Sequence, residues 1–219
     1  MKILLDGRLL SERPTRISRY SVEMIKMYQR KFGYNNVYVL INNLSKQKMR
    51  EFNWIETRYK PFSIIDFFLI YFLLKKLDFS VFHSLFYSNS FFKVKKMKYI
   101  LTVHDLMYDI VEDFFGNNKI KNFFGRKYYN FIVGRSLKNS DHVISISNTT
   151  KNDIKKIFLK NSVFIPQGLN KINNRRKKVS ILENEKYFLY VGNSRPHKNL
   201  EFLISTYEES DVSCKLVLV

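Results

Sequence analysis

Disulfide chemistry is excluded from this chain almost at once, because Cys214 is its single cysteine. One thiol closes no internal crosslink and suits a reducing compartment, so the fold rests on packing and a cytoplasmic setting is expected. No Cys/His cluster has metal-ligand spacing, and no metal centre is expected. The sequence also lacks a G-x-S-x-G elbow, a Walker loop and a G-x-G-x-x-G fingerprint, which removes common hydrolase and dinucleotide-binding readings. Long apolar runs are missing too. The most apolar stretch, residues 67–74, is far short of the ~20 residues that cross a bilayer, so residues 61–79 read as a buried or interfacial helix. At the start, "MKILLDGRLL" is broken by Asp6 and Arg8 and reads as a first strand, not a signal peptide. There is no internal repeat or low-complexity segment.

Acidic charge is the scarce sign: 38 Lys and Arg face 19 Asp and Glu, a formal net charge of +19. Such an excess fits attraction to an anionic membrane surface or to phosphate-bearing ligands. Nucleic acid is not expected as a partner, because no RNP, helix-turn-helix or zinc-knuckle pattern accompanies the charge. The cations are spread along the chain among many Asn, Ile, Phe and Tyr residues, a mixture that AT-rich codons also produce. With 45% hydrophobic residues, the chain has enough apolar side chains for a substantial core.

Short apolar runs alternate with helix-period segments, the pattern of a parallel α/β sheet. Strands are predicted at residues 2–5, 37–41, 81–83, 99–103, 142–145 and 163–165. The first helix is expected to bury Ile17, Tyr20, Met24, Met27 and Tyr28, which follow 3-4 spacing. Further helices are predicted at residues 62–76 and 119–138. Another follows "ISISNTTKNDIKKIF", capped by Ser147 or Asn148 and burying Ile154, Ile157 and Phe158. Residues 1–170 form the expected first domain and residues 171–186, dense in Lys and Arg, a linker. Residues 187–219 supply one further β-α-β unit.

Three loops carry candidate chemistry. In "YVGNSRPHKNL", Gly192 leaves room for a ligand beside a helix N-terminus, with Arg195, His197 and Lys198 as cationic donors. The set suits a diphosphate, or equally a polar turn with solvated cations. In "LTVHDL", His104 and Asp105 end an apolar strand, where parallel sheets bind ligands. There the histidine can hydrogen-bond a hydroxyl while Asp105 orients its ring, unless the pair merely caps the strand. Ser145 and Ser147 either line a cleft or cap a helix. His83 and His142 read as structural.

The motifs "ILLDGR", "SRYSVEMIKM", "DFSVFHS", "TVHDL", "SDHVISISNTTKNDI", "IPQGL" and "YVGNSRPHKNLEFLI" occur here in one order. In that order the chain resembles family 4 of the retaining glycosyltransferases. The resemblance implies a GT-B fold. Its N-terminal half, a Rossmann-like parallel-sheet domain, binds acceptor, and the last unit begins a second Rossmann-like domain that binds donor. It implies transfer of a sugar from a nucleotide-sugar donor to a glycan or lipid-linked acceptor with retention, in surface polysaccharide synthesis, and no cofactor. His104 matches the histidine that contacts the transferred sugar. Gly192 and Lys198 match the glycine and lysine at the donor diphosphate, where Asn193 replaces a frequent arginine and Arg195 is a candidate by charge alone. The family's glycine-rich loop reads "TRISRY" here, so Arg16 and Ser18 stand where glycines are usual; Arg16 either narrows the cleft or pairs with phosphate.

The resemblance also implies paired glutamates for the donor ribose and sugar, which would fall beyond Val219. Two expectations follow. The last unit is marginally ordered or packs on the first domain, and the chain alone has little or no transferase activity. The alternative is a non-catalytic remnant, or a subunit needing a partner chain that supplies the donor half.

Overall fold

The computed structural model describes residues 1–10, 15–42, 51–168, 185–192, 194 and 198–219. Seven strands form one all-parallel sheet: β1 (Ile3–Asp6), β2 (Val37–Ile41), β3 (Asn53–Glu56), β4 (Val81–Ser84), β5 (Lys98–Val103), β6 (His142–Ser145) and β7 (Val163–Phe164). Their spatial order is β3-β2-β1-β4-β5-β6-β7. This is the parallel α/β sheet expected from the alternating pattern, in the Rossmann-like form that the resemblance implies. β1 lies between β2 and β4, with Leu5 opposite Val39 on one side and His83 on the other. Every residue of β1 is buried, which explains its nearly continuous apolar run.

The strand order reverses between β1 and β4. The chain first moves outward to β2 and β3, then returns across the sheet through α2 (Ile64–Lys76) to β4. At such a switch point the outgoing and returning connections leave a crevice over the carboxyl ends of the strands. One sheet face is covered by α1 (Arg16–Phe32), whose Ile25 packs with Ile3, Leu5, Val37 and Val39. On the other face, Ile70 and Leu74 of α2 pack against Leu4, Leu40 and Phe82. There α4 (Lys119–Asn139) and α5 (Asn148–Phe158) also contribute Val133, Leu137 and Ile154, packed with Leu101, Val103 and Val143.

Two helices differ instructively from their predicted forms. In α1 Tyr20, Met24 and Tyr28 pack against the core as expected, but the fully buried line is Ser18, Ser21 and Ile25, and Met27 is exposed. Small side chains let the helix lie close to the sheet, and Ser21 satisfies its hydroxyl by donating to the Ile17 carbonyl. Helix α2 starts at Ile64 rather than residue 62. The Ser63 hydroxyl accepts from the Asp66 N–H as its cap, and Phe62 takes a left-handed φ of 64°. The aromatic ring of Phe62 packs on Phe86, Tyr87 and Tyr129, contacts that hold this uncommon conformation. Gly7, by contrast, is a steric requirement: a Cβ there would sit 2.5 Å from Val39 Cγ1.

The last unit, β8 (Tyr187–Tyr190), α6 (Leu200–Glu208) and β9 (Lys215–Leu218), is the expected β-α-β, with its two strands side by side and parallel. No residue of β8, α6 or β9 is buried. The predicted linker at residues 171–186 falls outside the described residues except for its last two positions.

Candidate functional site

The candidate site is built from the strand ends on either side of the switch. At the end of β1, Asp6 and Arg8 form a buried bidentate pair, Arg8 Nε to Asp6 Oδ1 at 2.8 Å and Nη2 to Oδ2 at 2.7 Å. The guanidinium also lies over the Phe86 ring, 5.7 Å from its centroid. The "DGR" of the first strand is thus a structural clamp with no free charge to offer a ligand.

His104 directly follows β5 and is buried. Its Nε2 lies 2.9 Å from the Leu85 carbonyl, which can only accept, so Nε2 carries the ring proton. Nδ1 is then the acceptor, and the Gln167 amide donates to it at 3.3 Å. Tyr20 meets the ring edge-on, with centroids 4.9 Å apart. Thr150 Oγ1 donates to the His104 carbonyl at 3.0 Å. Burial pulls the His104 pKa below its ordinary value, against the smaller opposing effects of the Leu85 carbonyl and the Asp105 charge. The site therefore offers a neutral imidazole of fixed tautomer, with its lone pair toward Gln167.

Asp105 does not take the orienting role expected for it. Its carboxylate accepts from the Met107 N–H at the start of α3 (Met107–Ile110), and the side chain is exposed. Leu85 and Gln167 orient the ring instead. Successive side chains of an extended segment point to opposite sides, so a residue adjacent to His104 in sequence is poorly placed to share its pocket.

Behind His104 runs a second polar chain. His83 bonds Thr102 Oγ1 through Nε2 and the Tyr28 hydroxyl through Nδ1, both at 2.9 Å, and Tyr20 meets Thr102 at 3.3 Å. The structural reading of His83 holds: burial pulls its pKa down to about 3 and pushes Tyr28 up to about 12. This chain ties α1 to β4 and β5 beneath the candidate site.

The remaining predicted residues are placed as follows. Ser147 caps α5, accepting from the Thr150 N–H at 3.0 Å, and contacts the hydroxyl of Thr150 that holds the His104 carbonyl. Ser145 is buried, its hydroxyl 3.4 Å from the Val163 carbonyl of β7. Arg16 is exposed at the first residue of α1. Gly192 and Lys198 both lie on the loop from β8 to α6. A Cβ on Gly192 would stand 2.9 Å from the Tyr190 hydroxyl oxygen, and Lys198 is half-buried. Arg195 and His197 lie outside the described residues. Among the described residues, no three His, Cys, Asp or Glu side chains converge as metal donors.

Gln167, Tyr20 and Thr150 were not singled out from sequence as site residues. Gln167 had one available signal, its place in "IPQGL" among the ordered motifs. Its pairing yields a direct expectation: Gln167→Glu places a carboxylate at Nδ1 and raises the His104 pKa, read from histidine ring shifts in an NMR titration. An unchanged titration would mean that Gln167 does not face the ring in solution.

Over residues 18–171 the chain matches the family model for Glycosyltransferase Family 4. The O-antigen chain mannosyltransferase RfbU of Salmonella typhimurium is 31% identical over 119 residues, which cover 54% of this chain and 31% of the relative. The matched region thus spans about a third of that relative's length. His104, Tyr20, Thr150 and Gln167 fall inside the residues the family model matches; Gly192 and Lys198 fall outside them.

Proposed function

The chain belongs to Glycosyltransferase Family 4, and on that premise we propose that it carries the acceptor-binding half of a retaining hexosyltransferase. In this reading a sugar passes from a nucleotide-sugar donor to a glycan or lipid-linked acceptor during surface polysaccharide synthesis. Similarity to an O-antigen chain mannosyltransferase favours mannose as the sugar. The setting is cytoplasmic and peripheral to the inner face of the membrane, and no metal or cofactor takes part.

The observation that carries the reading is the state of His104. Its Nε2 proton is committed to Leu85, while among the described residues Nδ1 faces a long 3.3 Å bond from Gln167. A sugar hydroxyl that displaces the Gln167 amide can donate to that lone pair. A neutral ring is required for this, and burial keeps it neutral. Lys198 and the N–H groups opening α6 would meet the donor diphosphate, with Gly192 keeping the loop close.

Saturation-transfer NMR on the 219-residue chain, against nucleoside diphosphate sugars (mannose among them) and oligosaccharide acceptors, tests the proposal. Binding by at least one panel is expected, weakened about tenfold by His104→Ala through loss of one hydrogen bond. Absence of binding in both panels, or binding indifferent to His104, would overturn it. A second reading, a subunit that works with a partner chain, is favoured by the wholly unburied strands β8 and β9. Open apolar strands need a cover. Purification from its source bound to a second polypeptide would select this reading.

A further inference from the structure

Helix α4 has apolar side chains on two sides, and only one of them faces the core. Ile132, Val133 and Leu137 are buried. On the outward side Ile120, Phe123, Phe124 and Phe131 are 70%, 57%, 66% and 46% exposed. Their spacing places them on one stripe of the helix. Lys119, Lys121, Lys127 and Lys138 are interleaved with them, and the 21 residues of α4 include no Asp or Glu. Lys127 lies over the Phe123 ring at 5.7 Å, its stem along the aromatic surface.

The stripe continues beyond α4 through touching rings. From Phe131 the contacts run to Phe91, Phe92, Tyr71 and then the exposed Phe72 of α2, with centroid separations of 5.9, 4.7, 5.5 and 5.4 Å. Arg135 stacks on Phe91 at 4.5 Å. Phe72, Phe92 and Phe131 are exposed along this run of rings, with Phe91 and Tyr71 half-buried between them, and an exposed aromatic surface of this kind marks an interaction site.

Its composition selects the occupant. Protein interfaces are depleted in lysine, whereas anionic headgroups attract it while aromatic rings settle at the acyl boundary. No helix among the described residues is long and apolar enough to cross a membrane. We propose that the outer face of α4, extended by Phe92 and Phe72, docks the protein flat on a bilayer rich in anionic phospholipid. The proposal rests on the peripheral placement given above and specifies its surface. Sugar binding is measured without vesicles, so either reading can fail alone.

Co-sedimentation of the full chain with phosphatidylglycerol-rich vesicles, against pure phosphatidylcholine, provides the test. Binding is expected only to the former. K119E/K121E/K127E is expected to weaken it about 100-fold, and Phe123→Ser/Phe124→Ser about tenfold. An equal charge reversal on α1, K26E/R30E/K31E, should change it by less than about threefold, since those side chains are on the other sheet face. Equal loss from the α1 reversal would reduce the effect to net charge and overturn the docking surface. Wild-type binding by the serine variant would overturn it too, as would a chain dimer dispersed by that variant with no vesicle binding. If the variants misfold, Phe124→Trp in a Trp54→Phe background decides. Quenching by brominated acyl chains supports insertion, and its absence rejects it.

Discussion

Acidification from pH 6.5 toward pH 3 is expected to remove roughly 3–5 kcal/mol of folding stability through His83. The imidazole is fully buried, and its two nitrogens are occupied by Thr102 and Tyr28. A neutral ring serves that geometry, donating through one nitrogen and accepting through the other. Protonation would give it two donors and a charge without water, and burial accordingly pulls the pKa down to about 3. The unfolded chain has no such restriction and binds a proton below about 6.5. Between the two values the unfolded state holds more protons, so stability rises with pH across the window. The contribution is complete above pH 6.5 and has vanished below pH 3. His104 acts in the same direction, its pKa also lowered by burial. Urea midpoints should fall as the pH is lowered across this range in the wild type, and fall more gently in His83→Gln. Parallel slopes would show that His83 does not titrate as the geometry requires.

Removing one partner of the Asp6–Arg8 pair is the other large effect. Both side chains are at most 2% exposed, and the pair is bidentate. Asp6→Ala leaves a guanidinium uncompensated at the end of the interior strand β1, costing about 3–5 kcal/mol. Replacing both, as Asp6→Ala with Arg8→Met, removes charge and partner together and should recover most of that loss. Equilibrium denaturation of the single and double variants closes the cycle. A single-variant cost below about 1 kcal/mol would mean that water reaches the guanidinium.

The strands easiest to read were those buried on both faces, β1, β2 and β5, whose near-continuous apolar runs leave few alternatives. The edge strand β3 went unseen because Asn53-Trp54-Ile55-Glu56 alternates between half-buried and exposed positions, with polar residues at both ends. In α1, counting only large apolar residues missed Ser18 and Ser21, whose smallness is what the close contact uses. His104 was legible because its motif falls at a strand end. Its real partners were not: Leu85, Gln167 and Thr150 lie 19, 63 and 46 residues away along the chain.

By itself the sequence determined the α/β class, the order of the elements other than β3 and α3, and the family resemblance, because hydrophobic period, caps and motif order are local properties. The tertiary structure alone decided the β1–β4 reversal, and which imidazole nitrogen of His104 keeps its lone pair toward Gln167. It also decided that the aromatic residues of α2, α4 and the loop between β4 and β5 form one surface. Each of these depends on which distant strands and helices lie side by side, and strand register sets that geometry.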